Sequence, residues 1–179
     1  MLVQMGQVKI AQQGVLESQI GTCVSLCLFH RESGLGGMTH ISRSRSNDQT
    51  PSGRLLRHEG YHYADAAIPK LLELLGEGSG RSTKSGFKLF IFGGLRSEGP
   101  LIETLHELGV RQLSPNVLRT HYGSKYGFKL CGHDVNQEVN RNVKFDLDGR
   151  KIVVTQSEIR LPGASLATPP SQSIKVFSL

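Results

Sequence analysis

Apolar residues in this chain come in short runs, broken by glycine-, serine- and proline-rich stretches. Val24 to Phe29, VSLCLF, is short and apolar, which predicts a buried strand. His30 to Gly37, HRESGLGG, reads as a turn, and Met38 to Ile41 as a second, shorter strand, so the two are expected to pair as a hairpin. Residues 7–10 and 14–16 read as short strands or their edges. Tyr61 to Leu75 carries the clearest helical period: Ala64, Ile68, Leu71, Leu72 and Leu75 form one apolar stripe. Gly76 and Gly78 are expected to end that helix, and residues 76–86 to form a flexible connection. Leu89 to Phe92 reads as a short buried strand, stopped by Gly93-Gly94.

Leu101 to Leu108 predicts a second helix, with Pro100 near its start and Gly109 at its end. Ser114 is a candidate cap for a third, with Pro115 in its first turn, Val117 and Leu118 within it, and an end near Gly123. Lys129 to Cys131 looks like another strand. Val143 to Leu147 and Lys151 to Thr155 flank Asp148-Gly149, the signal of a two-residue hairpin turn. This order predicts an α/β fold: a single domain over residues 1–161, with mixed β-sheet layers and packed helices. Residues 162–179, with Pro169-Pro170 and several serines, read as a tail, flexible or surface-docked. No dinucleotide or phosphate-loop glycine motif follows a strand.

A length of 179 residues suits one core. No run approaches the ~18 apolar residues of a membrane span, and the first ten residues lack a signal-peptide pattern. Neither membrane insertion nor secretion is therefore expected. The three cysteines, Cys23, Cys27 and Cys131, are an odd number, which argues for a reducing, cytoplasmic setting over a disulfide scaffold. The net charge of +6 is scattered, apart from Arg43, Arg45, Arg54 and Arg57. That basic loop reads either as a solvated segment or as a contact surface for an acidic partner. A nucleic-acid role has this loop as its only support, and no recognition motif accompanies it, so none is expected.

Gly21-Thr22-Cys23 stands at the entrance to the first strong strand. A cysteine on such a turn sits beside backbone N–H groups that lower its pKa and can hold an oxyanion. Met38-Thr39-His40 lies on the expected partner strand, and the hairpin would carry His40 to Cys23, where an imidazole can take the thiol proton as a thiolate–imidazolium pair. Spacing alone leaves the ordinary alternative open, a small buried cysteine and a structural histidine. Cys27 is two strand repeats from Cys23, on the same face, and reads as core. Cys131-Gly132-His133-Asp134 reads as a strand end before a metal site, and His58 with His62 as surface packing.

Gly21-Thr22-Cys23-Val24-Ser25-Leu26-Cys27-Leu28-Phe29, followed by Gly36-Gly37-Met38-Thr39-His40, resembles the signature of the CheD family, the chemoreceptor glutamine deamidases of bacterial chemotaxis. Tyr63 to Ile68 resembles the start of that family's first long helix, and Phe92-Gly93-Gly94 its central strand end. Asn116, Asp134-Val135 and Arg141 to Phe145 follow in the family's order, so the resemblance spans about residues 5 to 160. It implies a CheD-like sandwich with Cys23 as nucleophile, His40 as general base, and backbone N–H groups near Gly21 and Thr22 as the oxyanion site. The implied substrate is a glutamine side chain of a methyl-accepting chemotaxis receptor, hydrolysed to glutamate through a thioester, with no cofactor or metal. Receptor methyl esters are a second implied substrate. A CheC-type phosphatase is a further implied partner, and a non-catalytic regulator of receptor or phosphatase is the alternative reading.

The chain departs from the family pattern at four places, one of them Leu113-Ser114-Pro115-Asn116 in place of a glycine-containing helix entry. Where the family carries an active-site threonine, this chain has Glu17, with Ser18 next to it. Glu17 is either an orienter of His40 or an exposed strand-end charge. The polar run ISRSRSN follows His40 where the family tends to be apolar, and Asn136 and Gln137 replace glycines.

Overall fold

The computed structural model describes residues 1–43, 60–79, 86–94, 99–114, 117–120, 126, 128–135, 139–158 and 172–179. Of the basic loop, only Arg43 falls among them; Arg45, Arg54 and Arg57 lie outside the described residues, as does His58.

The expected hairpin forms. β3 (Val24–His30) and β4 (Gly36–Ile41) pair antiparallel, with Val24 opposite Ile41 and Ser25 opposite His40. β1 (Val8–Ala11) flanks β4, and β5 (Phe87–Gly93) flanks β3 on its other side. β8 (Lys129–Val135) then pairs parallel to β5, giving the order β1-β4-β3-β5-β8. A second sheet has the order β11-β10-β9-β2, from β2 (Val15–Ile20), β9 (Val139–Asp146), β10 (Lys151–Glu158) and β11 (Gln172–Ser178). Among the described residues this is a mostly β domain with two helices, α1 (Ala64–Ser79) and α2 (Pro100–Leu108), consistent with the α/β class.

The central strand explains the layering. Every residue of β3 is buried, which needs cover on both faces. Val24, Leu26 and Leu28 face one way, into a core with Ala67, Ile68 and Leu71 of α1 and Leu101 and Leu105 of α2. Cys27 and Phe29 face the other way, against Leu16, Val143, Phe145 and Ile152 of the second sheet. β4 passes between these layers where little room remains. A Cβ on Gly37 would lie 2.4 Å from Leu71, and one on Gly36 would lie 2.8 Å from the Phe145 ring. The paired glycines let helix and sheet close on this strand from both sides.

Residues 1–7 link the two sheets along one side. Leu2 bridges to Glu17 beside β2, and Val3 N donates to Glu17 O at 2.7 Å. Gly6 N then donates to His40 O at 2.8 Å, beside β4. Val3 is buried where the segment crosses between the sheets.

Four expectations are corrected. α1 runs through Gly76 to Ser79, because a helical glycine costs only about 1 kcal/mol and the packed stripe outweighs it. The third helix is instead a hairpin of β6 (Val110–Ser114) and β7 (Val117–Thr120), with Val110 opposite Thr120. Ser114 ends a strand there; Pro115 and Asn116 lie outside the described residues. Val110 and Leu118 bury against the helix-side core, so cross-strand pairing decides that segment. The β9–β10 hairpin forms, yet Asp146 pairs with Lys151 and residues 147–150 make a longer turn, with Arg150 at φ 48°. Finally, the end of the chain supplies a strand: β11 pairs with β10 from Ser157–Gln172 to Lys151–Ser178.

Candidate functional site

Cys23 lies on the turn at residues 21–23, one step before β3. It is half-buried and its side chain packs against the core between the sheets. Its carbonyl oxygen accepts a 2.9 Å hydrogen bond from Gly94 N. Gly93, opposite Val24, makes that contact possible: its φ is +92°, and a Cβ there would lie 2.2 Å from Cys23 O. Two glycines at the end of β5 thus brace the turn that presents the thiol.

His40 is 5% exposed and faces the same inter-sheet layer. Directly paired residues share a face, so Ser25 and His40 point together, and Cys23, two residues before Ser25, points with them. Diagonal neighbours of this kind lie about 7–8 Å apart, within reach of long side chains. His40 Nδ1 stands 3.0 Å from Ser18 Oγ and 3.4 Å from Val3 O. A carbonyl oxygen can only accept, so this surrounding favours the tautomer protonated at Nδ1. Nε2 then carries the lone pair, and it has no hydrogen-bond partner among the described residues. A buried imidazole held at Nδ1 and open at Nε2 is equipped to accept a proton.

Glu17 does not take part in this arrangement. Leu16, Ser18 and Ile20 alternate inward along β2, which turns Glu17 to the outer face. There its carboxylate accepts from Asn142 Nδ2 at 2.8 Å and lies 3.8 Å from Lys144 Nζ. The side chain that contacts His40 Nδ1 is that of Ser18. Sequence reasoning missed this serine; the i, i+2 pattern Leu16-Ser18-Ile20 is the signal that could have found it. Gly21 and Thr22 precede Cys23 on the turn, and a Cβ on Gly21 would lie 3.3 Å from Asn140 Oδ1.

Burial governs the charges. It pushes the Cys23 thiol up, and a hydrogen bond with the Thr22 side chain only partly offsets this. Burial also pushes His40 down; the Val3 carbonyl favours the protonated ring, and the charge of His62 opposes it. Both shifts favour the neutral pair over thiolate–imidazolium. Cys27 is wholly buried, its thiol is pushed far up, and it is core.

A second polar group lies along the same layer. Asp134 is opposite Phe92, which is opposite Ser25, which is opposite His40. Its carboxylate accepts from Arg141 Nε at 2.8 Å, Gln156 Nε2 at 2.5 Å and Lys175 Nζ at 2.6 Å. One buried carboxylate thereby ties the edge of the first sheet to three strands of the second. Burial opposes its charge, but the hydrogen bonds from Lys175 and Arg141, with their charges, hold it below the ordinary carboxylate range. Cys131 and His133 share no centre with it: Cys131 is exposed, and His133 Nε2 lies 3.4 Å from Leu118 N.

No protein-family model matches the chain. It is similar to proteins named as probable chemoreceptor glutamine deamidase CheD. One from Methanococcus maripaludis is 25% identical over 162 residues, covering 88% of this chain and 96% of that protein. One from Methanococcus vannielii is 27% identical over 164 residues, covering 88% and 96%. One from the bacterium Hahella chejuensis is 24% identical over 144 residues, covering 80% of this chain and 63% of that longer protein. Relatives from separate organisms, aligned over four-fifths or more of the chain at about a quarter identity, support its likeness to the CheD family.

Proposed function

We propose that this protein hydrolyses glutamine side chains of chemoreceptor cytoplasmic domains to glutamate, with Cys23 as nucleophile, His40 as general base and Ser18 as the residue that orients His40. The observation that carries this reading is the Ser18–His40 contact beneath the turn that bears Cys23.

In this reading, the Cys23 sulfur attacks the carboxamide carbon while His40 Nε2 takes the thiol proton. The amide oxygen becomes an oxyanion beside the backbone N–H groups of the Gly21–Cys23 turn. The imidazolium then gives its proton to the nitrogen as the C–N bond breaks, and ammonia leaves. Water, losing a proton to His40, attacks the thioester; the C–S bond breaks, the thiol regains its proton and glutamate remains. A methyl ester would follow the same course with methanol as the leaving group. Because Cys23 and His40 rest as a neutral pair, proton transfer accompanies attack. The receptor's cytoplasmic domain sets the place of action in the cytoplasm. No described helix is long and apolar enough to cross a membrane.

The test is mass spectrometry of receptor signalling-domain peptides after incubation with the intact protein or with Cys23→Ala. A gain of about one mass unit at particular glutamines, absent with Cys23→Ala, is expected for amide-to-acid conversion. Receptor binding without conversion would sink the enzymatic reading and favour a regulator of the receptor or of a CheC-type phosphatase.

A further inference from the structure

β4 does not end the polar row at His40. Ser42 lies two residues on, so strand alternation returns its side chain to the face of His40. The last pair of the β3–β4 ladder is Val24 with Ile41. Continued by one step beyond the ladder, that register would bring Ser42 opposite Cys23. Ser42 is half-buried, and its Oγ lies 2.9 Å from Nδ1 of His62.

The segment carrying His62 is fixed firmly. Ser42 N and Arg43 N both donate to His62 O at 3.0 Å, Tyr61 N donates to Gly6 O at 2.7 Å, and Arg43 bridges Tyr63. The His62 ring lies against Gly6, where a Cβ would come within 2.5 Å of it. Tyr61 packs against the helix-side core, and Tyr63 is buried. An imidazole is therefore held behind a serine hydroxyl, one strand step past the β3–β4 ladder.

We propose that Ser42, oriented by His62, is a side-chain donor that holds the carboxamide oxygen of the substrate beside Cys23. With the proton on Nδ1, His62 donates to a lone pair of Ser42 Oγ and leaves the Ser42 O–H to donate to the amide oxygen. Ser42 is then the group that contacts substrate, and His62 acts through it as a positioning residue. This deepens the assignment above and rests on Cys23 as the nucleophile.

The experiment compares two thiol reagents on the full chain carrying Cys131→Ser, which removes the exposed thiol. Iodoacetamide presents a carboxamide; methyl methanethiosulfonate presents none. Rates of Cys23 modification are followed by intact mass. Ser42→Ala and His62→Leu are each expected to lower the ratio of the iodoacetamide rate to the methanethiosulfonate rate about fivefold, the worth of one neutral hydrogen bond. Ser42→Thr, which keeps the hydroxyl, is expected to preserve the ratio. A fall of both rates together, or an unchanged ratio in Ser42→Ala, overturns the proposal. His40→Gln tests the base separately: unchanged neutral-pH rates with both reagents would defeat His40 as base, while the ratio still judges Ser42.

Discussion

The hydroxyl of Ser18 stands 3.0 Å from Nδ1 of His40, between the two sheets, while the carboxylate of its neighbour Glu17 lies on the outer face with Asn142 and Lys144. Ser18→Ala is expected to lower kcat about tenfold, the loss of one well-placed neutral hydrogen bond near 1.4 kcal/mol. Glu17→Gln is expected to stay within about twofold, as an exposed ion pair contributes little. Steady-state deamidation of a receptor peptide by both variants checks this; the reverse ranking would return the orienting role to Glu17.

Gly93 allows the end of β5 to meet Cys23 O. Gly93→Ala is expected to destabilise the fold by more than about 2 kcal/mol, since strained φ and a backbone collision act together. Gly14 also has positive φ, at +81°, but nothing lies within 4 Å of an added Cβ. Gly14→Ala should therefore show the conformational cost alone, about 1 kcal/mol. Urea unfolding midpoints of the two variants separate the terms.

Asp134 is the buried counter-charge of Arg141. Asp134→Ala leaves that guanidinium buried beside a removed partner, and a loss of about 3–5 kcal/mol is expected. The folded pKa of Asp134 lies below its unfolded value. Its contribution is therefore present above the ordinary carboxylate pKa and lost as pH falls through the depressed folded value. Unfolding free energies measured downward from pH 6 should decline in the parent protein and do so less in Asp134→Ala.

The thiol of Cys23 is raised and the imidazole of His40 is lowered, both by burial. A thiolate–imidazolium site keeps reacting at low pH because its thiolate survives there. The neutral pair has no such reserve. The rate of Cys23 alkylation, in the Cys131→Ser background, is expected to fall steadily below neutral pH and to climb past the usual thiol midpoint. An acidic plateau would contradict the neutral pair. The same shifts touch stability. The lowered His40 costs stability as pH falls through the ordinary histidine range, and the raised Cys23 costs it as pH rises past the ordinary thiol range.

Periodicity made much of the frame legible. The stripe Ala64, Ile68, Leu71, Leu75 marks α1, and the fully apolar run from Val24 marks a strand covered on both faces. Local pattern misread the segments that pairing decides. Ser114 and Pro115 stand where a helix would start, but Val110 and Leu118 reach the core from the two strands of a hairpin. Gln172–Ser178 follows a proline- and serine-rich stretch, and only β10 gives its backbone a ladder. Gly76 would end an isolated helix, yet Leu71 and Leu75 are held in the core on its near side.

The site divides in the same way. By itself, the sequence placed Cys23 and His40 on a strand entrance and its partner strand, because a cysteine on a glycine turn before an apolar strand is a local pattern, and so is a hairpin; their roles came from the family resemblance. The tertiary structure alone decided their companions. Ser18, Asp134 and His62 reach this layer from β2, β8 and the segment ahead of α1, elements far apart along the chain. It also decided the resting charges, since burial of Cys23 and His40 arises only when two sheets close over them, and no residue order records how much water that closure removes.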